Sequence, residues 1–260
     1  MLTVSEIRGM LSQRLSGSWA YVPLRTLYRS VRDPGYLRIK RSMRNFYRQF
    51  VGQGDLVFDI GANIGDYTEA FMSLGARVVA VEPIPECCQK IRYLNRENRL
   101  TVRCEAVGDQ QGQCVLHLGS YSTHSSFSED WMEKAAQKVP FIKWSGELIA
   151  NVNTLDQIQH EHGTPQYIKI DVEGYELKVL RGMSFRPRVM SFEFHTFTPD
   201  LTRDCVQLPI FDSGCTFNVA FDGTWKLAWP EWREKGEVLQ YVLSLPSDDR
   251  FGDIYVRFKE

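Results

Sequence analysis

Leu56-Val57-Phe58-Asp59-Ile60-Gly61-Ala62-Asn63-Ile64-Gly65 reads as a buried strand running into a tight turn. The strand is of the apolar, parallel-sheet type and ends at Gly61; a helical stretch from Tyr67 to Leu74 follows and stops at Gly75. Downstream, Arg77 to Glu82 is a second strand, Pro85 to Asn98 a helix and Leu100 to Val107 a third strand. That alternation is the first half of a doubly wound sheet, because right-handed crossovers leave little other choice. The α/β pattern resumes at Asn153-Thr154-Leu155-Asp156, which caps a short helix. Tyr167 to Asp171 is then a strand, Tyr175 to Arg181 a helix ended by Gly182, and Val189 to Phe194 a strand. Val238 to Leu243 and Asp253 to Phe258 are expected as the last strands. The fold class is α/β, a Rossmann-like sheet with helices on both faces.

What flanks this core differs in charge. Residues 1–50 carry ten basic side chains against Glu6 and Asp33 alone, although the whole chain of 260 residues has a net charge of −1. Residues 1–52 read as a basic arm of short helices, broken near Pro23 and at Asp33-Pro34-Gly35. Such an arm docks on the acidic remainder of its own fold, or forms a homodimer contact, or faces an anionic partner. Residues 53–260 form the main domain, with Cys114 to Leu118 a hairpin strand and a polar, aromatic insertion near 119–150. Insertions of that kind usually carry substrate contacts.

No run of about 18 apolar residues occurs, so neither a membrane span nor a secretory core segment is expected, and the expected location is cytoplasmic. The six cysteines show no metal-site spacing and are expected as scattered thiols.

The glycine-bearing turn lets a ligand approach the backbone beside a helix N-terminus. Asn63 stands where a dinucleotide site has its middle glycine, and Asp59 would repel a pyrophosphate. A cofactor with an ammonium group suits Asp59 better, as S-adenosylmethionine has; an ordinary tight turn is the plainer alternative. Glu82, ending the second strand, can accept both hydroxyls of a ribose. Gly108-Asp109 is a turn that either reaches an adenine or is only a turn. Asp171 and Glu173 end a strand where cofactor and substrate would meet, while Glu173 and Glu176 also fit as helix-dipole caps. Lys169, between Ile168 and Ile170, is expected with its stem packed and its ammonium paired.

DIGANIGDYT, AVEPIP, Ala-Val-Gly-Asp, NTLDQI, IKIDVEGYELKVLRG and SFEFH occur in the order seen in FkbM-family methyltransferases, and the chain resembles that family over roughly residues 50 to 200. The resemblance implies a class I methyltransferase fold, S-adenosylmethionine as donor and O-methylation of an alcohol. It implies that Asp59, Gly61 and Asn63 hold the methionine end, Glu82 the ribose and Asp109 the adenine side, with Asp171 and Glu173 beside the reacting centre.

Methyl transfer draws most of its rate from alignment in a dry cleft, and a positioned base adds about 10²- to 10⁴-fold. Candidate bases are Asp171, Glu193, His195 and, within the insertion, His124; Glu173 and His124 are candidates for substrate contact. Asp171, Glu193 and His195 would also suit a divalent cation that orients a diol, the less favoured use. Trp131, Trp144, Trp225, Trp229 and Trp232 either stack on sugar rings or simply pack. A small-molecule or saccharide acceptor is expected, and a nucleic acid is not. The rival readings are a nucleotide-dependent oxidoreductase and a catalytically silent, RNA-binding methyltransferase fold.

Overall fold

Strand β1 (Leu56–Ile60) is buried along its whole length and lies inside the main sheet, with a strand on either side. The computed structural model describes residues 35–94, 98–120, 122–138 and 142–259. Its other strands are β2 (Arg77–Val81), β3 (Leu100–Arg103), β4 (Ala106–Val107), β5 (Gly112–Gly119), β6 (Trp144–Asn153), β7 (Tyr167–Ile170), β8 (Val189–His195), β9 (Cys215–Phe221) and β10 (Phe251–Phe258). The helices are α1 (Tyr36–Tyr47), α2 (Asp66–Ser73), α3 (Pro85–Arg92), α4 (Glu129–Lys138), α5 (Leu155–His162), α6 (Glu176–Arg181), α7 (Pro199–Val206) and α8 (Lys235–Ser244).

Seven strands form one sheet in the order β3-β2-β1-β7-β8-β10-β9. The first five are parallel, and β10 runs antiparallel to both β8 and β9. The order reverses between β1 and β7, the switch point at which open α/β sheets bind ligands outside the strands' carboxyl ends. Strand alternation sorts the side chains: Leu56, Phe58 and Ile60 pack on one face with α5, α6, α7 and α8, while Val57 packs on the other with α1 and α2. Helices therefore cover both faces, and the structure is a Rossmann-like α/β fold.

Three expectations about the elements are corrected. Val238 to Leu243 is not a strand but part of α8, where Val238 and Val242 are buried four residues apart on one helical face. The strand unseen in the sequence is β9, CTFNVAF, which pairs with β10. Leu100 to Val107 is not one strand: β3 ends at Arg103, and Ala106–Val107 joins a second, three-stranded sheet of order β4-β6-β5. The expected insertion near 119–150 thus holds α4 and most of β6, which pairs antiparallel with β5 before it. The helix expected to reach Asn98 ends at Arg92.

Residues 1–34 of the expected arm lie outside the described residues. Its remainder, α1, is amphipathic: Met43, Phe46 and Tyr47 are buried, while Arg38, Arg41 and Arg44 face outward. Phe50 stacks on Tyr167 and Tyr255 at 5.8 and 5.2 Å, anchoring this segment to the sheet. Each such ring pair adds about 0.5–1.5 kcal/mol beyond the area it buries. Cys88 and Cys104 form a disulfide, which corrects the expectation of scattered thiols; α3 packs along β3 and brings their Cα atoms to 5.9 Å. Among the described residues, no helix is long and apolar enough to cross a membrane.

Candidate active site

The carboxyl ends of β1, β2, β7 and β8 open into one cavity of about 1070 Å³. Gly61 is where the chain must turn hardest. Its φ is +79°, and a Cβ there would lie 1.7 Å from the carbonyl oxygen of Asp171, so β1 and β7 can meet only through glycine. Gly65, with φ +81°, precedes α2 as its N-cap. Asn63 is also left-handed, with φ +49°. Its backbone N–H donates to Glu82 Oε2 at 2.8 Å, and its side-chain Oδ1 accepts from Ser122 Oγ at 2.7 Å. The loop after β1 is thereby tied to β2 on one side and to the insertion on the other.

Glu82 also accepts from the Ile84 N–H at 2.9 Å. Burial nonetheless pushes its carboxyl up to about 7. Asp59 is one residue deeper and does not line the cavity; its Oδ2 accepts from Thr68 Oγ1, and burial raises it to about 6. Asp109, expected on the adenine side, does not line the cavity either. Lys178 draws its carboxylate away at 2.8 Å, and Glu105, Ala106 and Val107 line that end instead.

Gly61, Asn63 and Glu82 thus come together, and so do Asp171, Glu173, Glu193, His195 and His124, all in the same cavity. His195 Nε2 lies 3.0 Å from Glu193 Oε2 and 3.8 Å from Glu173 Oε2. Burial alone would lower the His195 pKa, but the charges of Glu193, Glu176 and Asp171 outweigh it and hold it above its ordinary value. Burial and the neighbouring carboxylates raise Glu173 and Glu193. Burial lowers the pKa of His124. Glu173 is left-handed, φ +53°, in a turn whose Val172 and Gly174 N–H groups both donate to Glu176 Oε1 at 3.2 Å. Glu176 is consequently a buried capping group, as its place at the start of α6 suggested.

Metal-ligand atoms of Glu173, Glu193 and His195 lie within 4.8 Å of one another, so Glu173 rather than Asp171 completes the oxygen-rich cluster. Asp171 is turned instead toward Lys169, whose Nζ is 3.1 Å from Asp171 Oδ2 and 3.2 Å from Asp253 Oδ1. The ammonium expected to be paired is paired twice, and Asp253 is the partner that the sequence reading missed.

The insertion roofs the site. Ser126 Oγ donates to the Glu173 carbonyl at 2.6 Å, and Trp144 Nε1 to the His124 carbonyl at 2.9 Å. Trp131 of α4 is 2% exposed, lines the cavity and meets the His195 ring edge-on at 5.5 Å. Gly174 makes room for it, since a Cβ there would sit 2.4 Å from the indole. Trp225, Trp229 and Trp232 do not line this cavity; they pack against Phe46, Tyr241 and Phe50. Sequence reasoning passed over Phe197, Asp222 and Asp249, which also line the cavity from loops without a recognisable motif.

The cavity accepts what the sequence motifs imply. Glu82 offers carboxylate oxygens where a nucleoside would lie, glycine clears the backbone beside it, and the surrounding acids favour a cation.

Residues 59–235 match the Methyltransferase FkbM domain. The chain is 26% identical over 188 residues to the hexuronic acid methyltransferase AglP of Haloferax volcanii, covering 70% of this chain and 72% of that one. Among solved structures, an O-methyltransferase from Bacillus cereus in complex with SAH is 11% identical, with a TM-score of 0.43 over 86% of this chain and 81% of that one. The precorrin-6y C5,15-methyltransferase from Geobacter metallireducens GS-15 is 12% identical, with a TM-score of 0.41 over 85% and 87%.

Proposed function

The chain belongs to the FkbM methyltransferase family and is an S-adenosylmethionine-dependent methyltransferase, and we propose that its acceptor is a hydroxyl of a saccharide or similar small molecule. The observation that carries the proposal is the His195–Glu193 pair, 3.0 Å apart, opening into the same cavity as Gly61, Asn63 and Glu82. A carboxylate or thiolate acceptor is already a nucleophile and needs no base, whereas an alcohol gains from one.

S-adenosylmethionine, when bound, supplies a methyl group on a cationic sulfur, open to in-line displacement by the acceptor oxygen. Glu82 accepts from the ribose hydroxyls, and the Gly61–Asn63 backbone receives the methionine end beside it, with Asp59 as a buried negative charge behind. His195 takes the hydroxyl proton as the oxygen–carbon bond forms, and Glu193 stabilises the resulting imidazolium. Asp171 and Glu173 hold the acceptor's neighbouring polar groups. Trp131, Phe197 and the insertion exclude water, which shortens the search for a near-attack geometry. AglP acts on hexuronic acid, which supports a sugar acceptor.

Equilibrium titration tests the reading's foundation. S-adenosylhomocysteine is expected to bind the unaltered protein and NADH is not; micromolar NADH binding without S-adenosylhomocysteine binding would overturn it.

A further inference from the structure

We propose that Lys169 is a positioning residue, whose buried ammonium fixes the Asp171 carboxylate so that one of its oxygens is presented to the acceptor. The proposal rests on reading Asp171 as part of the acceptor end of the cavity. Lys169 occupies β7, in which all four residues are buried, and is itself 1% exposed. Burying an ammonium costs several kcal/mol unless partners repay it, whereas an apolar side chain would fill the position without that cost, as Ile168 and Ile170 do beside it. The charge is therefore kept for what it holds.

Its two carboxylate partners are placed differently. Asp253 belongs to the interior: its Oδ2 accepts from the Tyr255 hydroxyl at 3.3 Å, and its side chain is 14% exposed. Asp171 is 26% exposed and lines the cavity. The Asp171 backbone is fixed, since its N–H donates to the Ile60 carbonyl at 3.0 Å and its own carbonyl abuts Gly61. Its side chain can still turn about two torsions. The 3.1 Å contact from Lys169 to Oδ2 settles that freedom and leaves Oδ1 for a ligand. Below, the ammonium lies 4.3 Å from the centre of the Tyr67 ring, so aromatic packing fixes the height from which it pulls.

A chamber of about 60 Å³ lies beside this pair, lined by Lys169, Asp171, Asp253 and Glu193 among others. It leaves room for a guanidinium, which makes Lys169→Arg an informative partner to Lys169→Met.

Steady-state kinetics with a saccharide that the unaltered protein methylates tests the proposal, with S-adenosylhomocysteine affinity as a separate readout. Lys169→Met is expected to raise the acceptor KM and to lower kcat/KM about 10- to 100-fold, the range for a lost charge-assisted hydrogen bond. S-adenosylhomocysteine affinity is expected to stay within about twofold, because this change removes no cofactor contact. Lys169→Arg is expected to recover part of the loss. Adding Lys169→Met to Asp171→Asn is expected to cost little beyond Asp171→Asn alone. Full additivity, an unchanged kcat/KM in folded Lys169→Met, or an equal loss of S-adenosylhomocysteine affinity would each overturn the proposal. Should Lys169→Met not fold, Lys169→Arg decides: a loss as large as that of Asp171→Asn contradicts the proposal. If the methyltransfer reading itself were at fault, the unaltered protein would methylate nothing, a different outcome from any of these.

Discussion

His195 Nε2 stands 3.0 Å from Glu193 and 3.8 Å from Glu173, so a single imidazole faces two carboxylates at the end of β8. A base must be neutral to take a proton, and these charges hold His195 above its ordinary pKa although burial alone would lower it. The kcat/KM of the unaltered protein is accordingly expected to rise with pH along a limb lying above about 6.5. Glu193→Gln removes the largest raising influence, so the limb should move to lower pH even as the maximum falls. His195→Ala should lower kcat by about 10²- to 10⁴-fold. A pH profile unchanged in Glu193→Gln would show that another group titrates.

Glu82 is pushed up to about 7 by burial, and in the proposed role of ribose acceptor it would act in its ionised form. S-adenosylhomocysteine should therefore bind more weakly as pH falls through about 7. Glu82→Ala should weaken binding by roughly 10- to 100-fold at pH 8 and flatten this dependence. Isothermal titration at several pH values reads both effects.

Gly61 can carry no side chain. Gly61→Ala combines a left-handed φ of +79° with a Cβ 1.7 Å from a backbone oxygen. The cost should be at least about 2 kcal/mol, seen as a thermal midpoint lowered by roughly 5 °C or more. An Ala variant with an unchanged midpoint would mean that β1 and β7 need not meet here.

Asp59 links folding to pH. Its folded pKa of about 6 lies above the ordinary value of about 3.9, so folding takes up a proton between the two. Relative to Asp59→Asn, the unaltered protein should lose stability as pH rises from about 4 to about 6, by on the order of 3 kcal/mol. Denaturant midpoints of the two proteins across that range measure the difference, and parallel curves would contradict it.

In the first half of the fold β1 and β2 were open to reading because they are almost wholly buried and mostly apolar, with Gly61 at the sharp turn after β1, whereas β3, buried only at Leu100, gives no such signal of where it ends. The second half was harder for a physical reason. EVLQYVLS satisfies both a period of two and a period near 3.6, and only packing of Val238 and Val242 decides for α8. CTFNVAF holds a buried polar residue, Asn218, whose side chain donates to the Trp229 carbonyl at 2.9 Å, so the strand lacks a clean apolar signature. At the site, Glu82, Asp171, Glu193 and His195 were legible because strand ends announce them. Asp109 was not, since the direction of a turn side chain depends on a partner 69 residues away, Lys178. Asp253 was hidden for the same reason, being paired across 84 residues with Lys169.

The most direct test of the account is the fate of an isotopically labelled methyl group. The protein, S-adenosylmethionine labelled at the methyl carbon and a panel of neutral and uronic saccharides should yield labelled product, with the methyl carbon bonded to a hydroxyl oxygen by NMR. His195→Ala should slow that product without weakening S-adenosylhomocysteine binding. Label found on a nitrogen, a carbon or a carboxylate oxygen, or full activity in His195→Ala, would contradict base-assisted methylation of an alcohol.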